Sequence, residues 1–139
     1  MSISAVLSDA SAVVSSMGLT RSPTALNARN IPNTVADLMF SLSMQTVNSK
    51  KFRERSPGHI RYNHELTVGI LGRLKPLNQA PSYEALIDTE EGAIKALMTQ
   101  FKMPPYRVEY ERTRRTIVPS GEYLFLEIVF SIEQSGDLL

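Results

Sequence analysis

Near the middle of the chain, His64 and Glu65 in the stretch HELTV occupy the first two positions of the pattern His-Glu-x-x-His. On a helix that spacing puts two imidazoles on one face to hold zinc, with the glutamate beside them as general base. Here the fifth position is Val68. The surrounding residues also alternate with period two. Ile60, Tyr62, His64, Leu66, Val68, Ile70 and Leu74 share one parity, and Arg61, Asn63, Glu65, Thr67 and Arg73 the other. Alternation of this kind predicts a strand, and a strand sends His64 and Glu65 to opposite faces. The second histidine, His59, falls in the preceding turn, so a two-histidine site with Glu54 or Glu65 is the one metal reading left. The simpler expectation for His64 is a strand residue at the core's edge, held by a hydrogen bond.

Other chemistries find less. There is no Gly-x-Ser-x-Gly elbow, and with no cysteine in the chain there is no thiolate nucleophile and no disulfide. Two carboxylate pairs occur. Glu90-Glu91 suits a helix N-terminus, where the dipole favours negative charge. Glu109 and Glu111 alternate with Arg and Tyr and suit a ladder of ion pairs. Gly69 and Gly72 lie inside the strand pattern and mark a bulge or close packing. No enzyme activity, cofactor or metal is therefore expected.

The elements that would position these residues form one domain over residues 1 to 139. A chain of 139 residues buries roughly 70% of its unfolded surface, enough for a core without staples. Lys and Arg number 15 against 14 Asp and Glu, giving a net charge of +1. No global field draws nucleic acid or anionic membrane. No apolar run reaches the ~20 residues of a membrane span. The N-terminus lacks a signal peptide's basic start, and a mature, intracellular chain is expected.

Residues 3 to 17 carry an apolar helical stripe (Ile3, Val6, Leu7, Ala10, Val13, Val14, Met17), with Ser2 to cap it and Gly18 to end it. Residues 19 to 34 are expected as a surface connection. Strands are expected over 35 to 47 and 60 to 75. A helix is expected over 82 to 101, with Asp88-Thr89-Glu90-Glu91 as an alternative start and Pro104-Pro105 preventing its continuation. The chain closes with a hairpin, 106 to 118 and 122 to 133, turned at Pro119-Ser120-Gly121, and a short polar tail. The fold class is α+β: one mostly antiparallel sheet of about four strands, with two helices packed on one face.

Two basic clusters stand out. Lys50, Lys51, Arg53 and Arg55 lie in the connection between the first two strands, and Arg112, Arg114 and Arg115 precede the final turn. The first reads as a solvated loop or a partner-facing arm. No recognisable nucleic-acid motif accompanies either cluster; non-specific contact with DNA passing nearby is the most they suggest.

The order of these segments resembles the tail terminator proteins of long-tailed bacteriophages. The likeness rests on an N-terminal helix, a looping stretch around NIPNT, a strand, the long strand HIRYNHELTVGILGRLKP, the helix DTEEGAIKALMTQF and the hairpin YRVEYERTRRTIVPSGEYLFLEIVFSIEQ. It spans residues 3 to 133 and lies in element order and hydrophobic pattern rather than in a signature motif. Neck, head-completion and tail-tube proteins of the same virion region share parts of it. The resemblance implies a structural virion protein, put together in the host bacterial cytoplasm. Its subunits would form a homo-oligomeric ring, a hexamer, that caps the tail tube, stops its polymerisation and meets the head-completion connector. It brings no catalytic residues and no membrane. Within such a ring the arginine and lysine clusters would face Glu90, Glu91 or Glu133 of a neighbour, or acidic groups on the tube. A non-viral ligand-binding module is the contrasting reading, and it would show an apolar pocket with converging polar groups around His64 or Tyr62.

Overall fold

A computed structural model describes residues 4–22, 25–26, 38–47, 59–75, 77, 79–104, 106–118 and 121–137. The elements are α1 (Ser4–Ser15), β1 (Thr20–Arg21), β2 (Leu38–Val47), β3 (His59–Arg73), α2 (Gln79–Gln100), β4 (Tyr106–Ile117) and β5 (Tyr123–Asp137). They build an α+β fold with five strands in the order β1-β2-β3-β5-β4. All neighbours are antiparallel except β1 and β2.

The α1 stripe buries Val6, Ala10 and Val14 completely. The helix ends where Gly18 adopts a φ of 90°, a left-handed conformation that a side chain would resist. The next residues depart from the expected surface connection. Leu19 is buried, and Thr20 and Arg21 pair in parallel with Met39 and Phe40. This short strand is the fifth one that periodicity does not reveal, because two residues are too few to show alternation.

The long α2 begins at Gln79, before both expected starts. Pro81 sits in its first turn, where a missing N–H is no loss because that donor has no helical partner. Asp88 is thus an exposed residue inside the helix rather than its cap. Leu86, Glu90, Ala93 and Leu97 form the buried stripe. Among the described residues no helix is long and apolar enough to cross a membrane.

Both helices lie against one sheet face. There Phe40, Leu66, Val68, Ile70, Leu126, Ile128 and Phe130 are fully buried, and Leu97 and Phe101 pack on them. Burying each such side chain contributes about 1.5–3 kcal/mol. The opposite face is not uniformly open. At one end Met39, Leu71 and Phe125 point outward and form a smaller cluster with Leu26 and Val118. The Leu26 N–H donates to Ser41 Oγ at 3.2 Å, which holds Leu26 over this end.

Close packing, not a bulge, explains the two strand glycines. The register of β3 with β5 runs unbroken from His59↔Asp137 to Arg73↔Tyr123. A Cβ at Gly72 would lie 2.0 Å from Leu86 Cδ2, and one at Gly69 3.0 Å from Ser41 Oγ. Gly72 therefore sets how near α2 approaches the sheet. The same register shows that His59 belongs to β3 rather than to a turn. It also shows that Gly136 and Asp137 extend β5 where a polar tail was expected, because residues 59 to 61 supply them a partner strand.

Candidate functional site

The feature that most changes the placement of charge lies in β4. Tyr110 pairs with Phe130 and Arg112 with Val129, leaving Glu111 as an extra residue. A bulge of this kind exchanges the faces of everything after it. Before it, Val108 packs against the helix-side core and Tyr110 meets Phe130 edge to face. After it, Arg115 is on that same side, although simple alternation from Tyr106 would turn it away. The Tyr110 hydroxyl and Thr113 Oγ1, 2.6 Å apart, clasp the irregularity.

As a result Arg115 reaches Glu90 of α2. Its Nε donates to Oε2 and its Nη2 to Oε1, each at 3.0 Å. Glu90's side chain is 3% exposed and Arg115's 44%. The fork geometry is the strong form of an ion pair, and it pins α2 to β4. Both residues were expected to face a neighbouring subunit; their partner lies within the chain. Glu91, one residue on, is exposed and pairs with Lys95 at 3.0 Å, a surface contact worth about 0.3–0.5 kcal/mol. Glu133 lies opposite Arg107 and Asn63 in the sheet. Arg112 and Arg114 are exposed on β4, on the face away from the helices. Lys50, Lys51, Arg53 and Arg55 lie outside the described residues.

His64 is fully buried. Its Nε2 donates to Gln134 Oε1 at 3.0 Å and its Nδ1 lies 3.0 Å from Thr46 Oγ1. The amide oxygen only accepts, so in the neutral ring Nδ1 accepts from the Thr46 hydroxyl. Tyr62 stacks on the imidazole at 5.8 Å. This rung ties three strands together and uses both ring nitrogens. His59 is five residues away along the same strand, which puts the two backbone positions roughly 17 Å apart at ~3.3 Å per residue. Among the described residues no three His, Asp or Glu side chains gather to hold a metal. The hollow that touches His64, about 280 Å³, is polar rather than apolar. Asn63, Glu65, Glu111, Arg112 and Ser131 line it.

A larger hollow of about 550 Å³ opens where the start of α2 meets the ends of β2 and β3. Leu38, Arg73 and Lys75 line one side and Ser82, Leu86 and Thr89 the other. The Lys75 N–H donates to Ser82 Oγ at 3.3 Å. The expected helix over 82 to 101 already held Ser82, Leu86 and Thr89; sequence reasoning missed the hollow because only the fold sets them against Leu38, Arg73 and Lys75.

No protein-family model and no curated protein matches the sequence. Among solved structures, the chain is similar to the type 4 fimbrial biogenesis protein PilO from Pseudomonas aeruginosa. The TM-score is 0.47 with 9% identity, and the match covers 98% of this chain and 72% of that one.

Proposed function

We propose that the chain is a structural virion protein of a tailed bacteriophage: a tail terminator whose copies close into a ring, cap the tail tube, stop its growth and meet the head connector. The observation that supports this reading is the free side of β4. It is a strand of twelve residues, and among the described residues it pairs with β5 alone. Such an edge invites pairing unless something covers it. Arg107, Glu109, Arg112 and Arg114 are all exposed along it, so a neighbour of complementary charge could dock in one register and exclude others. Head-to-tail contacts of this sort generate a ring when the rotation closes. The interface set that this reading retains is Arg112, Arg114, Glu91 and Glu133, with Lys50, Lys51, Arg53 and Arg55. Glu90 and Arg115 leave it, being satisfied by each other.

The test is light scattering and negative-stain microscopy of the purified full chain, alone and mixed with polymerised tail-tube protein. Hexameric rings, free or seated on tube ends, are the expected result. A chain that stays monomeric at high concentration and leaves tube ends bare overturns the reading.

A further inference from the structure

The 550 Å³ hollow at the start of α2 combines basic and apolar side chains in its lining. The chain as a whole balances 15 basic against 14 acidic residues. Among the described residues its lining includes Arg73 and Lys75 and no carboxylate. Both cations are exposed, and among the described residues neither has an ion-pair partner, the ion pairs there being Lys95–Glu91 and Arg115–Glu90. Between them the floor is apolar, made by Leu38 and the nearly buried Leu86. On the connection just beyond Lys75, Leu77 is an apolar side chain that is 97% exposed. The walls are held in place: Gly72 lets Leu86 seat directly on the strand, and Ser82 is hydrogen-bonded to the Lys75 backbone.

We infer that this hollow is a docking site for an acidic peptide segment of a partner protein, with one apolar side chain on Leu38 and Leu86 and flanking carboxylates on Arg73 and Lys75. The volume falls in the range of binding sites and exceeds what an inorganic anion would fill. A nucleic-acid backbone would satisfy the cations but leave the leucines unpartnered. A peptide supplies both, and an arginine accepts a carboxylate in bidentate fashion. The inference is independent of the ring reading, since the hollow lies on the α2 side of β3, at the other side of the sheet from the free strand β4.

The test is selection of a random heptapeptide library on the immobilised full chain, followed by anisotropy titration of the enriched sequences. Enriched peptides should carry Asp or Glu beside Leu, Ile or Phe. Arg73→Ser with Lys75→Ser should weaken their binding at least tenfold; both side chains are exposed, so circular dichroism should match the parent. Amide shifts on binding should centre on Ser82, Leu86 and Thr89. Lack of enrichment, enrichment of peptides without acidic residues, or unchanged binding by the double variant overturns the inference. Full displacement of the peptide by millimolar inorganic phosphate would make the hollow a simple anion site, and tighter binding of an oligothymidine would make it a nucleic-acid site; either result overturns it too.

Discussion

At the scale of single residues, two groups are held by specific neighbours. Glu90 is a carboxylate removed from water, and its one forked partner is Arg115. Removing the partner leaves the charge buried, and the penalty for that exceeds the net worth of the pair. Arg115→Ala should lower stability by about 2–3 kcal/mol, just below the about 3–5 kcal/mol of fully buried pairs because the arginine is half exposed. The double variant Arg115→Ala with Glu90→Leu should regain much of that loss; urea denaturation checks both. Tyr106 is the second case. Burial first, and Asp9 second, raise its hydroxyl above the ordinary value of 10.0. The folded chain therefore keeps this proton where the unfolded chain has released it. The associated stability is complete below about pH 10 and is lost as pH rises through the folded value. Tyr106→Phe should reduce the fall in denaturation midpoint above pH 10, and Asp9→Asn should alter it less, since burial is the larger cause.

At the scale of elements, the contact of α2 with β3 and the bulge in β4 govern the arrangement. Gly72→Ala forces Leu86 to move inside a packed layer, an overpacking that typically costs about 1–3 kcal/mol. In a Leu86→Ala background the same change should cost about 1 kcal/mol less, and a double-mutant cycle by chemical denaturation measures that coupling. Glu111 is the extra residue of the bulge. Deleting it leaves every other β4 side chain on its present face, so the Glu90–Arg115 pair should survive and the monomer should stay folded. The strand would become regular and flatter, and a flat edge templates association. Concentration-dependent light scattering should show more self-association in the deletion variant than in the parent.

For the whole molecule, the proposed assembly depends on charge along β4. Reversing Arg112 and Arg114 to Glu touches exposed positions, so the far-ultraviolet circular dichroism should stay unchanged while ring formation or tube capping falls at least tenfold. Microscopy of particles or tube ends gives the readout. Reversal of Arg53 and Arg55 should also weaken assembly if that arm faces a partner; normal assembly would make it a solvated loop.

Alternation alone identified the helix-facing row of β3 and placed His64 in it, since burying one sheet face requires every second residue to be apolar. It also ruled out the zinc pattern, because a strand separates His64 from Glu65. The glycines at 69 and 72 were legible as a bulge or as close packing, and only the unbroken register and the neighbouring side chains decide for close packing. Three things depended on contacts between distant segments. Thr20 and Arg21 become a strand only because β2 leaves an edge beside them. The hollow beside Arg73 exists only because the start of α2 meets the ends of β2 and β3, segments far apart in the chain. The direction of Arg115 depends on a single unpaired residue in β4. Glu111 carries no mark of a bulge in its own identity, and only the register against β5, together with the buried Glu90 waiting on α2, decides that this arginine turns inward instead of toward a neighbour.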